Sequence, residues 1–312
     1  MKRLIFLLLP LFSFLTTSAQ TDTIPLSPQQ FGNSVLTNLW ENPAYSGAEQ
    51  RHNINLNYQK RWPWVPQTKR YLISYDLALG KNKRLGLGIY YSHYLAGATT
   101  KKSFNISGSY KFLINKKHKL RLGSSISYLI KSVNFRSLTY EDMIDPCYGF
   151  SYGTEETQVT STSGNLEVGS GIWYTIYNYY LGLSVLHINQ PKNGIIVWDQ
   201  SRLPRDYYIT SGYDFKISDY FSILPSFLLK KSYGYFTISP SVLCIFRKNY
   251  IVGFIFKDLN TICINTGVLF LKKFRFMITY GVPAHEHLRQ ISEIGYIEYS
   301  LRFQFGKSVK NE

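Results

Sequence analysis

The residues best equipped for chemistry in this chain are few, and their spacing does not suit it. His285-Glu286-His287 gathers two imidazoles and a carboxylate. A solvated loop is the better reading of this triplet than a metal site. Cys147, Cys244 and Cys263 are an odd number without paired spacing, so neither a disulfide framework nor a cysteine metal site is implied. Serines and histidines both occur, but no spacing singles out a nucleophile and its base. Gly86-Leu87-Gly88 and Gly169-Ser170-Gly171 sit inside strand-like runs with no helix following, so they are not phosphate loops. They are expected to relieve crowding or to bend the sheet. No catalytic residue, cofactor or metal is expected.

The ends and the composition narrow the class. Lys2 and Arg3, an apolar stretch over 4–15 and Thr17-Ser18-Ala19 have the order of an export signal. Residues 1–19 are therefore expected to be removed, leaving 20–52 as a periplasmic N-terminal segment. No apolar run is long enough to span a bilayer as a helix, which takes about 20 residues. Aromatic residues make up 16% of the chain, with 26 tyrosines, and charged residues only 17%. Soluble domains average about 25% charged, so a surface rich in tyrosine and poor in charge points to a lipid boundary. The formal charge of +16 would suggest nucleic acid in a cytosolic protein. Export removes that partner and leaves anionic headgroups or an acidic protein.

Alternation with a period of two runs from about Asn53 to Phe305. Ile297, Tyr299, Leu301, Phe303 and Phe305 alternate with Glu298, Ser300, Arg302 and Gln304. Soluble sandwiches alternate too. The deciding feature is repeated length, because tilted spanning strands need about ten residues against about 5–6 in soluble sheets. Open strand edges cannot lie in lipid, so the sheet must close. The expected fold is all-β: a closed, transmembrane, antiparallel barrel over 53–305, with 306–312 as a periplasmic tail. Strands are expected near 53–60, 68–80, 83–95, 100–114, 117–131, 163–177, 179–190, 206–217, 219–231, 233–247, 249–258, 260–271, 273–282 and 290–305, about fourteen in all. Asp76, Lys111, Arg121, Glu167, Asp214, Glu298 and Arg302 should face the lumen. Acids and bases both occur there, which favours a paired interior over a conduction path of one sign.

Connection lengths check this segmentation. Every second connection, at Gly80-Lys81-Asn82, Asn115-Lys116, Tyr177-Asn178, Ser218-Asp219, Lys248-Asn249 and Lys272, is short, as periplasmic turns are. The long ones, over 132–162, 189–205 and 283–289, all fall on the other side. Lys81, Lys83, Lys116, Lys117, Lys119, Arg247, Lys248, Lys272 and Lys273 should then form a basic periplasmic rim on which acidic partners could dock. Trp62-Pro63-Trp64-Val65-Pro66 is expected at the opposite interface, as part of an aromatic girdle or as a contact surface.

A family resemblance adds to this. Asn42-Pro43-Ala44-Tyr45-Ser46-Gly47, ahead of the first strand, resembles the segment that opens the PorP/SprF proteins of the type IX secretion system. Tyr58 to Trp62 with Pro66, Tyr75-Asp76 and Leu85-Gly86-Leu87-Gly88 are similar to family features in the same order. So are Asp145-Pro146, Tyr180-Leu181-Gly182-Leu183-Ser184 with His187, Leu224-Pro225-Ser226 and His285-Glu286. Lys60-Arg61-Trp62 departs from the family, where a glutamine more often precedes the tryptophan. The resemblance implies an outer-membrane barrel that supports secretion or surface anchoring of cargo proteins such as gliding adhesins. It also implies contact with periplasmic ring and lipoprotein components. The rival readings are a diffusion or uptake channel and, more distantly, a lipase-like barrel enzyme. The sequence leaves open whether residues 20–52 plug the lumen or lie along the rim.

Overall fold

The computed structural model describes residues 31–61, 68–115, 117–150, 153–156, 159–194, 201–257, 261–284 and 295–306. The signal segment, Lys116, the Trp62 to Pro66 stretch, His285-Glu286-His287 and residues 307–312 lie outside them. Fourteen antiparallel strands close into one barrel. They are β1 (His52–Arg61), β2 (Thr68–Leu79), β3 (Leu85–Ala96), β4 (Thr99–Leu113), β5 (His118–Asn134), β6 (Thr160–Ile176) and β7 (Tyr179–Leu186). Then come β8 (Asp206–Tyr213, continued by Phe215–Ser218), β9 (Phe221–Ser232), β10 (Tyr235–Phe246), β11 (Tyr250–Lys257), β12 (Thr261–Phe270), β13 (Phe274–Pro283) and β14 (Tyr296–Phe305). Each pairs with its neighbour in sequence, and β1 closes the circle on β14 from His52 opposite Phe305 to Arg61 opposite Tyr296. A barrel closed in this way leaves no edge unpaired in hydrocarbon.

β8 is interrupted at Asp214. Its first part pairs with both β7 and β9, but β7 begins only at Tyr179, opposite Tyr213. Past that point Phe215–Ser218 has β9 alone as a partner and shifts register against it. Asn178, in the preceding turn, bridges the break. Its side-chain amide donates to the Asp214 carbonyl at 2.9 Å, and the Asp214 N–H donates to the Asn178 carbonyl at 3.1 Å.

The two faces of the wall are chemically opposite to those of a soluble protein. Ile106 and Ile126 are 68% and 61% exposed, whereas Asn53, Asp76, Asn265 and Glu298 are 0% exposed. Burial in β1 falls on Asn53, Asn55, Asn57 and Gln59, and in β4 on Ser103, Asn105, Ser107, Ser109 and Lys111. The apolar set therefore meets acyl chains and the polar set is enclosed. Short turns at 80–84, 114–117, 177–178, 219–220, 247–249 and 271–273 gather at one end with the start of β1 and the end of β14. The long gaps between strands, from β5 to β6, β7 to β8 and β13 to β14, all open at the other end. By the usual sidedness of outer-membrane barrels, the short-turn end is periplasmic.

Candidate functional site

The lumen is occupied. Residues 31–50 enter it as a helix, α1 (Ser34–Glu41), followed by a 3-10 turn at Pro43–Tyr45. The described part of the expected periplasmic segment thus lies inside the barrel. A lumen walled by serine and asparagine suits it, since polar wall groups can hydrogen-bond its backbone and capping side chains. α1 places Leu36 against Leu243, Ile251 and Met277, and Leu39 packs with Ala44, Tyr45 and Trp173.

The turn at 42–47 is the most tightly held part. The Asn42 amide donates to the carbonyls of Ile172 at 3.0 Å and Leu183 at 3.2 Å, while its Oδ1 accepts from the Ala44 N–H at 2.9 Å. The Gly47 N–H donates to Asp76 at 3.1 Å, and the Ser109 hydroxyl donates to the Ser46 carbonyl at 2.7 Å. Arg121 reaches the carbonyls of Gly47 at 2.7 Å and Ser46 at 3.3 Å. The surrounding strands make room by omitting side chains. A Cβ on Gly86 would lie 2.0 Å from the Ser46 carbonyl oxygen, on Gly123 2.5 Å from the Ala44 Cα, and on Gly171 2.2 Å from the Asn42 Oδ1.

Charged groups fasten the two ends of this plug to the barrel seam. Glu298 on β14 accepts from the Gly32 N–H at 2.7 Å and the Asn33 N–H at 3.4 Å, and from the Gln59 amide at 3.1 Å. A carboxylate at this position also suits the helix N-terminus. Arg302 forms an ion pair of 2.7 Å with Glu49 and donates from Nε to Asn55 at 2.6 Å. Glu49 in turn accepts from the Tyr45 hydroxyl and from the Gln304 amide.

The short-turn end carries the expected cations. Lys81, Lys117, Arg247, Lys248, Lys272 and Lys273 are exposed there. Lys117 lies over the Tyr177 ring at 5.2 Å and Lys248 over the Tyr220 ring at 5.9 Å. A hydrogen bond with the Tyr177 hydroxyl holds the Lys117 ammonium above its ordinary range. Lys83 and Lys119 are only half exposed, and Lys83 donates to the Gln50 carbonyl at 2.6 Å, tying the plug's exit to the rim. Two of these turns place consecutive non-glycine residues at positive φ: Arg247 and Lys248 at 48° and 62°, Leu271 and Lys272 at 51° and 55°. Hairpin turns of this kind favour Asn-Gly, and an L side chain costs about 1–2 kcal/mol per residue there. At the loop end, the tight turns at Gly97 and Gly234 do use glycine.

Residues 27–303 match the family described as type IX secretion system membrane protein PorP/SprF. This chain belongs to that family. No curated protein sequence matches it. Solved structures of similar shape include the CymD monoaromatic hydrocarbon channel, with TM-score 0.49, 10% identity, and coverage of 88% of this chain and 94% of that one. The Acinetobacter baumannii outer membrane protein Omp33 has TM-score 0.47 at 7% identity, covering 82% and 100%. A Pseudomonas aeruginosa FadL homologue has TM-score 0.47 at 11% identity, covering 85% and 92%.

In this PorP/SprF protein of the outer membrane, the family-like segments converge on the plug. Asn42 to Gly47 is its central turn, Asp76 and the Gly86–Gly88 pair form its socket, and the Ser184 hydroxyl donates to the Glu41 carbonyl at 2.6 Å. His187 stands 3.3 Å from Glu167. Asp145 caps the Cys147 and Tyr148 N–H groups in a loop hairpin, apart from the plug. Of the expected lumen residues, Asp76, Lys111, Arg121, Glu167, Glu298 and Arg302 are buried, and Asp214 is half-buried at the break in β8. Among the described residues no cluster of metal-binding side chains occurs. Sequence reading did not place residues 31–50 in the lumen. The signal available was the glycine on the inward face at 86, 88, 123 and 171.

Proposed function

We propose that this PorP/SprF barrel is a non-enzymatic, plugged scaffold of the type IX machine. It supports secretion or surface anchoring of cargo and docks acidic periplasmic ring or lipoprotein components on its basic rim. Family membership supports the secretion role. The observation that carries the scaffold reading is the plug, hydrogen-bonded to six wall strands. A diffusion channel needs a continuous wet path, which this arrangement does not favour.

The rim supports the docking part. Exposed cations stand at the turn tips even where glycine or asparagine would fold more easily, so their charge serves something beyond the turn. Opposed charge speeds encounter and sets orientation more than it sets affinity.

The test reverses Arg247, Lys248, Lys272 and Lys273 to glutamate and measures co-purification of periplasmic type IX components. Loss of co-purification, with the barrel still showing heat-dependent migration in gels, supports docking at the rim; unchanged co-purification overturns it. Deleting the gene and surveying surface proteins tests the wider role. Selective loss of secreted or surface-attached proteins is expected, and an unchanged surface with impaired solute uptake would favour a channel.

A further inference from the structure

The outer face of the wall carries positive charge toward its loop-bearing end. Lys60 on β1 stands directly opposite Lys69 on β2, and Lys102 on β4 stands opposite His93 on β3. Alternation puts them on the lipid side, in step with Tyr58, Tyr71 and Phe104. Like charges directly opposite one another on one face repel, and no ion pair among the described residues relieves these lysines. The neighbouring sequence offers no acid for the purpose. Asp76 is the only carboxylate between Arg51 and Tyr140, and it is enclosed in the lumen against Gly47.

Beside the lysine pair, toward the middle of the bilayer, the outer wall holds a groove of about 290 Å³ that crosses the closing seam between β1 and β14. Leu56 and Tyr58 of β1, Tyr71 and Ile73 of β2, and Tyr299 and Leu301 of β14 line it. The registers arrange these residues in rows. Lys60 and Lys69 come first; Tyr299, Tyr58 and Tyr71 follow side by side, and Leu301, Leu56 and Ile73 come next. The Tyr58 ring stands 5.0 Å from that of Tyr71 and 6.3 Å from that of Tyr299.

Cation, tyrosine, aliphatic is also the order of a phospholipid read from its head: phosphate, ester-linked backbone, acyl chain. A phosphate shared by Lys60 and Lys69 turns their repulsion into two charge-assisted contacts. Lysine stems can lie along the apolar wall while their ammonium groups reach headgroup level. Tyrosine suits the level between, with an apolar ring and a polar hydroxyl. Ligand clefts start at about 300 Å³, so the groove has room for a length of one chain, and the rest of the lipid stays in the bilayer. We propose that this face binds one phosphate-bearing lipid of the outer leaflet, its phosphate between Lys60 and Lys69 and one chain in the groove over the seam. The site is on the outside of the wall, so its test does not depend on the scaffold reading.

The experiment is native mass spectrometry of the detergent-solubilised full chain with phosphatidate, with diacylglycerol carrying the same chains, and with inorganic phosphate. Phosphatidate should bind saturably, and diacylglycerol at least about tenfold more weakly, the effect of losing one charge-assisted contact. Inorganic phosphate at the same concentration should leave the bound phosphatidate in place. Replacing both Lys60→Gln and Lys69→Gln should weaken phosphatidate binding at least about tenfold. Ile73→Trp should weaken it about tenfold with both lysines intact, as when about two methylenes are kept out of the groove. Lys231→Gln, which removes an exposed cation at the same end of β9, should leave binding unchanged. All variants are compared as barrels whose heat-dependent gel migration is normal. The proposal is overturned if phosphatidate does not saturate, if diacylglycerol binds as tightly, or if inorganic phosphate displaces the lipid. It is equally overturned if the double lysine variant or Ile73→Trp keeps full affinity, or if Lys231→Gln weakens binding as much as the double variant.

Discussion

Replacing Gly123 with alanine tests the plug directly. The new Cβ would lie 2.5 Å from the Ala44 Cα, 2.7 Å from its nitrogen and 2.9 Å from the Pro43 carbonyl carbon. Carbon contacts relax at about 3.5–4.0 Å, and all three neighbours are backbone, so the turn must move by about 1 Å. The two bonds from the Asn42 amide, at 3.0 and 3.2 Å, would then stretch beyond hydrogen-bond range. Overpacking costs about 1–3 kcal/mol and each neutral bond about 1 kcal/mol, together about 3–5 kcal/mol against the seated plug. Gly108 on β4 is the control, since its Cβ direction meets no atom within 4 Å; alanine there should be neutral or gain about 0.5–1 kcal/mol. Hydrogen exchange of the amides in 34–47 reads the opening free energy. At about 1.4 kcal/mol per factor of ten, Gly123→Ala should speed exchange there by about two to three and a half orders of magnitude. Exchange in 34–47 that matches the Gly108→Ala protein would refute the claim that this turn is seated against β5.

Other outcomes follow from the same contacts. Asn42→Ala removes three hydrogen bonds and should loosen the plug by about 3 kcal/mol, seen as faster exchange at 42–47 with the barrel strands unchanged. Planar bilayers holding the unaltered protein should show no steady ionic current, and deleting 31–50 should open one; a steady current before deletion would contradict the plug. Glu298→Ala strips charged acceptance from Gly32 and Asn33, about 1.5–3 kcal/mol per bond, and should make the chain at Gly32 and Asn33 accessible to protease added from the loop-bearing side. Rim docking should weaken as salt rises from about 0.05 to 0.5 M because exposed charges are screened; salt-independent capture by pull-down would argue against it.

The wall was legible because a barrel strand repeats a signal of period two. Ile297, Tyr299 and Leu301 lie on the lipid side and Glu298, Ser300 and Arg302 on the lumen side, as alternation required. Where alternation carried no apolar contrast, boundaries were lost. Thr160, Ser161 and Thr162 extend β6 beyond its expected start at 163, pairing with Asn134, Val133 and Ser132, and nothing in their composition marks a strand. The interruption of β8 was invisible for another reason: it depends on where the neighbouring β7 starts. The plug was the largest omission. Its residues mix polar and apolar types because a lumen of serine and asparagine presents both, so no hydrophobic pattern announced burial. Of the lysines expected on the rim, Lys83 is engaged by the Gln50 carbonyl as well as facing solvent, a contact that connection lengths could not show.

The order of the chain bears on how such an object can be built. The segment at the centre is translated before any staple of the surrounding ring, and its first anchor, Glu298, belongs to the last staple to be made. The carboxylate that grips Gly32 thus stands on the strand that closes the ring against the first one. A ring that closed without seating 42–47 would enclose unfilled hollows at Gly86, Gly123 and Gly171, on the wall away from that junction.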